Sequence, residues 1–111
     1  MAFDLEDRTL EFGKQIIGLC SALPKNSVNF KLVDQLVRSG TSIGANYREA
    51  NETDTKKDFK NRVRIAKKEA KETVYWLELV LEANPSFRET INRLLDESGQ
   101  LVKILAAIYA K

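Results

Sequence analysis

Residues 55–83, "TKKDFKNRVRIAKKEAKETVYWLELVLEA", contain no glycine and no proline. Their apolar side chains recur every three or four positions: Phe59, Val63, Ala66, Ala70, Val74, Leu77 and Leu81. That spacing is the period of an amphipathic helix and excludes a strand, which would alternate. Thr55 and Asp58 resemble a capping box and place the start of the helix. The same period extends in both directions. Upstream, Asn26 and Ser27 are N-cap residues for a helix over about 27–52, with Leu32, Leu36, Ile43 and Ala50 inward. Before it, a helix over about 4–23 carries Leu5, Phe12, Ile16, Leu19 and Leu23, and Pro24 stops it. Downstream, Ser86 and Glu89 form a second capping pair for a helix over about 86–110, with Phe87, Ile91, Leu94, Leu101, Leu105 and Ile108 inward. Gly99 inside that helix either bends it or permits close packing. The short connections make successive helices antiparallel neighbours. The expected fold is therefore all-α, an antiparallel up-down-up-down four-helix bundle forming one domain over 1–111.

Composition removes several function classes. The 111 residues are 43% hydrophobic and 31% charged, a globular balance. A net charge of +2 is too small to imply a nucleic-acid partner, so any such case rests on how charge is distributed. Cys20 is the only cysteine, which precludes an intrachain disulfide and suits a reducing cytoplasm. No apolar run approaches the roughly 20 residues that span a membrane. The acidic start, MAFDLEDRTLEF, does not resemble a signal peptide. The chain lacks histidine, the usual general base and the second half of a Glu-x-x-His metal motif. It also lacks a phosphate-binding Gly-rich loop. Carboxylate pairs such as Glu78 and Glu82 belong to solvated helix faces. No catalytic residue, metal site or cofactor is expected, and a binding or assembly protein is.

Helical projection at about 100° per residue sorts the remaining side chains. Lys56, Lys57, Lys60, Arg64, Lys67, Lys68, Lys71 and Tyr75 share one flank of the third helix, over roughly a third of its circumference. Glu69 and Glu72 lie on the other side, so they do not neutralise the stripe. A stripe of this kind can follow several phosphates, although lysine faces also serve merely to keep a helix soluble. Two apolar sets lie outside the core arcs: Phe3, Leu10 and Ile17 on the first helix, and Ile65, Trp76 and Leu79 on the third. Exposed apolar patches mark interfaces, and different patches meeting head to tail close a ring. On the second helix Ser39 points inward and Gly40 and Gly44 make a smooth strip. Such a strip lets another helix approach closely, and Asn46 and Asn51 then need hydrogen-bond partners across a helix boundary.

"SGTSIGANYREA" (residues 39–50) and "KKDFKNRVRIAKKEAKETVYWLELV" (56–80) closely resemble the four-helix-bundle proteins encoded in intervening sequences of bacterial 23S ribosomal RNA genes. The positions that carry the resemblance include Ser39, Ser42, Ile43, Ala45, Asn46, Glu49, Lys57, Asp58, Phe59, Ile65, Lys68, Tyr75 and Trp76. That family is similar to the accessory variability proteins of diversity-generating retroelements, which resemble a pentameric barrel with a basic surface for nucleic acid and a reverse transcriptase. The resemblance implies a homopentameric ring with a possible RNA or DNA partner. The competing expectation is an adaptor that binds a polymerase-like protein without touching nucleic acid.

Overall fold

The structure, a computed structural model, describes residues 4–111. It consists of α1 (Leu5–Ala22), α2 (Ser27–Ala50), α3 (Lys56–Ala83), a 3-10 turn (Pro85–Phe87) and α4 (Arg88–Ala110), with no strand among the described residues. Three of the helices begin at side-chain caps. Asp4 accepts from the Glu6 N–H, Asn26 from that of Asn29, and Thr55 from that of Asp58 at 2.9, 2.8 and 3.1 Å. These bonds satisfy donors that the first helical turn leaves unpaired. The expected cap by Ser86 and Glu89 does not form, and α4 starts without a side-chain cap. Pro85 fixes its own backbone in a 3-10 turn, the Asn84 carbonyl accepts the Phe87 N–H at 3.0 Å, and Ser86 is left inside that turn.

Each helix packs against its two neighbours, and α4 closes the ring of contacts by meeting α1. Contacting pairs descend in one helix as they rise in the next. Between α2 and α3 the pairs are Asn29–Asn84, Ser39–Thr73 and Asn46–Arg62, an antiparallel register. The core runs the length of the bundle through Phe12, Ile16, Leu36, Ile43, Val63, Leu77, Ile91, Leu101 and Leu105, all at most 1% exposed.

The seam of α3 differs from the expected one. Val63, Ala66, Ala70, Thr73, Leu77 and Val80 are buried, whereas Val74 and Leu81 are only half-buried. The buried set keeps a strict 3-4-3-4 alternation, the heptad spacing of helices packed along their whole length, so it drifts by one residue from the 3.6-residue pattern. A hydroxyl is tolerated in that seam because it is satisfied. The Thr73 hydroxyl donates to the Glu69 carbonyl at 2.8 Å and pairs with the Ser39 hydroxyl at 3.0 Å. At one end of the bundle, the buried amides of Asn29 and Asn84 donate to each other's oxygens at 2.9 Å. Their second N–H groups reach the Pro24 and Val80 carbonyls at 2.8 and 3.0 Å, so the pair ties the α1–α2 connection to the end of α3.

The smooth strip of α2 faces α1 of the same chain. A Cβ at Gly40 would stand 2.9 Å from Ile16 Cγ1. One at Gly44 would stand 2.9 Å from Thr9 Oγ1 and 3.3 Å from the Thr9 backbone carbon. Gly99, by contrast, has nothing among the described residues within 4 Å of where its Cβ would lie, so it serves no close packing there. These environments predict opposite signs for one substitution. Gly99→Ala is expected to stabilise by up to about 1 kcal/mol through helix propensity. Gly44→Ala is expected to destabilise by a net ~1–2 kcal/mol, because overpacking against backbone outweighs that gain. Urea denaturation of both variants checks this, and equal shifts of the same sign would contradict the packing account.

Candidate nucleic-acid interface

α3 is the longest helix and carries the basic flank along most of its length. Lys56, Lys57, Arg64, Lys68 and Lys71 are exposed, and Lys60 and Lys67 are half-buried. Among the described residues none of these seven cations forms an ion pair. Lys60 and Lys67 instead lie over the ring of Tyr109, near the end of α4, with Nζ 5.6 and 5.2 Å from its centroid. The ring's negative face steadies both ammonium groups without neutralising them.

Two acids of central α3 are engaged by α2. Arg38 of α2 reaches Glu69 at 3.2 Å and Glu72 at 2.7 Å. Those contacts, the hydrogen bond to Glu72 foremost, raise the Arg38 pKa further above its ordinary value. Glu69 and Glu72 are thereby paired with α2, although Glu72 also borders the depression that Lys68 and Lys71 line. The stripe itself carries an electrostatic cost. Lys56–Lys60, Lys60–Arg64, Arg64–Lys68 and Lys67–Lys71 each set like charges four residues apart, which costs about 0.2–0.5 kcal/mol per pair in a helix.

Tyr75 is 55% exposed at the end of this row, and its ring meets that of Trp76 edge-on, with centroids 5.1 Å apart at 74°. The two rings and the side chains of Arg64, Lys67, Lys68 and Lys71 line one shallow depression, with Glu72 at its side. Trp76 was expected to be an exposed interface residue, with Ile65 and Leu79. All three are half-buried, and Trp76 packs against the bundle's own core. Its large ring spans from the seam to the surface, which a projection treating residues as points does not capture.

The apolar row of α1 is different. Leu10 and Ile17 are 44% and 49% exposed, and Phe3 lies outside the described residues. Leu10 and Ile17, together with Gly13, Thr41, Gly44 and Ala45, line a groove of about 380 Å³ between α1 and α2. Glu6 at its rim is held by Arg48 at 3.5 Å and by Asn51 at 2.7 Å. Asn46 bonds within α2 to the Ser42 carbonyl at 2.9 Å and accepts from Arg62 of α3 at 3.3 Å. Ser39 is buried in the seam, as described above. Val28 and Phe30, near the start of α2, are 56% and 67% exposed and did not stand out in the sequence. Nor did Arg38 or Tyr109. The antiparallel register would have placed Arg38 beside Glu69 and Glu72 once Ser39 was matched with Thr73.

Burial pushes the Cys20 thiol up to about 11, so it is not a thiolate at neutral pH. Among the described residues no cluster of three metal-ligating side chains forms. No helix is long and apolar enough to cross a membrane.

No curated protein matches this chain. A crystal structure of a protein with unknown function from the S23 ribosomal protein family of Bacteroides thetaiotaomicron is similar throughout, with a TM-score of 0.88 and 39% identity over 97% of this chain and 100% of that one. The family model described as 23S rRNA-intervening sequence protein matches residues 3–107. With that match spanning nearly the whole helical bundle, the chain belongs to the 23S rRNA-intervening sequence protein family.

Proposed function

We propose that this chain is a single-domain, non-enzymatic, homo-oligomeric bundle that binds RNA or other nucleic acid through Lys56, Lys57, Lys60, Arg64, Lys67, Lys68 and Lys71. The observation that carries this reading is the uncompensated basic flank of α3. Seven cations share that flank without an ion pair among the described residues, while the neighbouring acids Glu69 and Glu72 are paired with Arg38 of α2. A merely solvating face gains from mixed charge, since glutamates interleaved at four-residue spacing would stabilise the helix. Phosphates would relieve the repulsion instead and release their own counterions. Contacts of this kind position a nucleic acid without reading its sequence.

Assembly supplies the avidity. The groove bearing Leu10 and Ile17 is an apolar surface that a second copy would cover, and the resemblance implies a pentamer. Repetition of the flank around a ring would let weak individual sites act together. Because Ile65, Trp76 and Leu79 are half-buried, this reading assigns less of the interface to α3 and more to the α1–α2 face.

An electrophoretic shift assay of the purified full chain with a ribosomal RNA fragment in low salt tests the reading. Retarded complexes that heparin dissolves are the expected result. Free RNA at every protein concentration would reduce the flank to a solvated face and favour the adaptor alternative.

A further inference from the structure

We infer that the basic site takes an unpaired stretch of nucleic acid, with one base stacked on Tyr75 in the corner it makes with Trp76. This rests on the nucleic-acid reading above and adds a class of substrate to it. Arg64, Lys68, Lys71 and Tyr75 follow one another at spacings of four, three and four residues, so they form a single line along the helix. Successive members are about 4.5–6 Å apart along the axis. The line therefore presents three cations and then an aromatic ring. Tyr75 is the only aromatic side chain of α3 that is fully classed with the exposed residues, at 55%. Among the described residues its one ring contact is the edge-on contact with Trp76 at 5.1 Å, and a single edge-on neighbour covers at most one face of a ring. The Trp76 contact therefore sets the angle of Tyr75 and leaves ring surface open beside the cations that line the same depression.

The chemistry of that depression selects its occupant. Arg64, Lys67, Lys68 and Lys71 around it outnumber its one acid, Glu72, which Arg38 already pairs, and so favour a polyanion. The ring favours a planar π surface, and every nucleobase has one. A duplex could satisfy the cations through its backbone, but its bases keep their faces inside the stack. Only an unpaired nucleotide offers phosphate and base face together.

The test uses the full chain, with a labelled single-stranded RNA of about 12 nucleotides and a fully paired duplex of the same length. Fluorescence anisotropy gives the two affinities. Emission from Trp76, the chain's single tryptophan, reports on the corner directly. The expected result is quenching of Trp76 by the single strand and not by the duplex. Tyr75→Leu is expected to lower the ratio of single-strand to duplex affinity at least about fivefold, the loss that ~1 kcal/mol of stacking carries. Tyr75→Phe, which keeps the ring, is expected to keep the ratio. An unchanged ratio in Tyr75→Leu, or equal quenching by both ligands, overturns the inference while salt-dependent binding of both strands stands. Failure of the wild-type chain to bind either RNA in low salt overturns the inference and the underlying reading together.

Discussion

Replacing Arg64, Lys68 and Lys71 together by glutamate is expected to lower RNA affinity at least about 100-fold and to move Tm by less than about 5 °C. The three side chains are exposed, share one line on α3 and form no ion pair among the described residues, so their loss removes no packing. Two unit charges 4 Å apart in water interact by about 1 kcal/mol, and by more where a ligand displaces solvent. Three lost attractions therefore amount to ~3 kcal/mol, about two orders of magnitude in affinity, before the new repulsions are added. On the stability side, Arg64→Glu and Lys71→Glu exchange repulsions with Lys60 and Lys67 for attractions, Lys68→Glu exchanges an attraction to Glu72 for a repulsion, and positions 64 and 68 repel as before; at about 0.2–0.5 kcal/mol per contact, the net stays within about 1 kcal/mol. Isothermal titration and a thermal melt of the triple variant measure both quantities. A variant that melts normally and binds as the wild type does would move the binding surface elsewhere.

The second large effect concerns assembly. The double variant Leu10→Glu, Ile17→Glu is expected to sediment at the protomer mass of 12.6 kDa, while the wild-type chain sediments at a multiple of it. Leu10 and Ile17 project from α1 beside a groove floored by Gly13, Gly44 and Ala45, where a side chain from another copy finds room. Glu6 and Glu49 against Lys14 and Arg48 leave the groove's lining with no net charge. Two glutamates per protomer would each meet a desolvation penalty of several kcal/mol on burial, repeated at every contact around a ring. The bundle itself is expected to survive, because both positions are about half exposed in the protomer. Unchanged helical circular dichroism with reduced mass is the expected pair of observations. A wild-type chain that already sediments at 12.6 kDa would remove the interface.

The helices, their order and the flank on which the lysines gather were legible in the sequence. They follow from period, caps and Pro24, all local properties. Position within the seam was harder to read. Thr73 and Val80 are buried in place of Val74 and Leu81 because packing along a neighbouring helix imposes the heptad period. Thr73 could not be placed inward until Ser39 and the Glu69 carbonyl were known to satisfy its hydroxyl. Trp76 looked like surface because a helical projection gives direction but not reach. The Asn29–Asn84 amide pair joins residues 55 positions apart, and no local pattern announces it. Arg38 and Tyr109 complete the basic flank from other helices, one pairing with Glu69 and Glu72 and the other steadying two lysines.

A salt titration bears most directly on whether α3 is a phosphate-binding flank. The association constant of the full chain for RNA is measured between about 50 and 200 mM monovalent salt. Each phosphate neutralised contributes about −0.7 to −0.9 to the slope of log K against log salt, so the five exposed cations predict about −3.5 to −4.5 per protomer engaged. A straight line of that steepness, flattened by the glutamate triple variant, is the predicted result. A slope near zero, or no measurable association at the lowest salt, would contradict it.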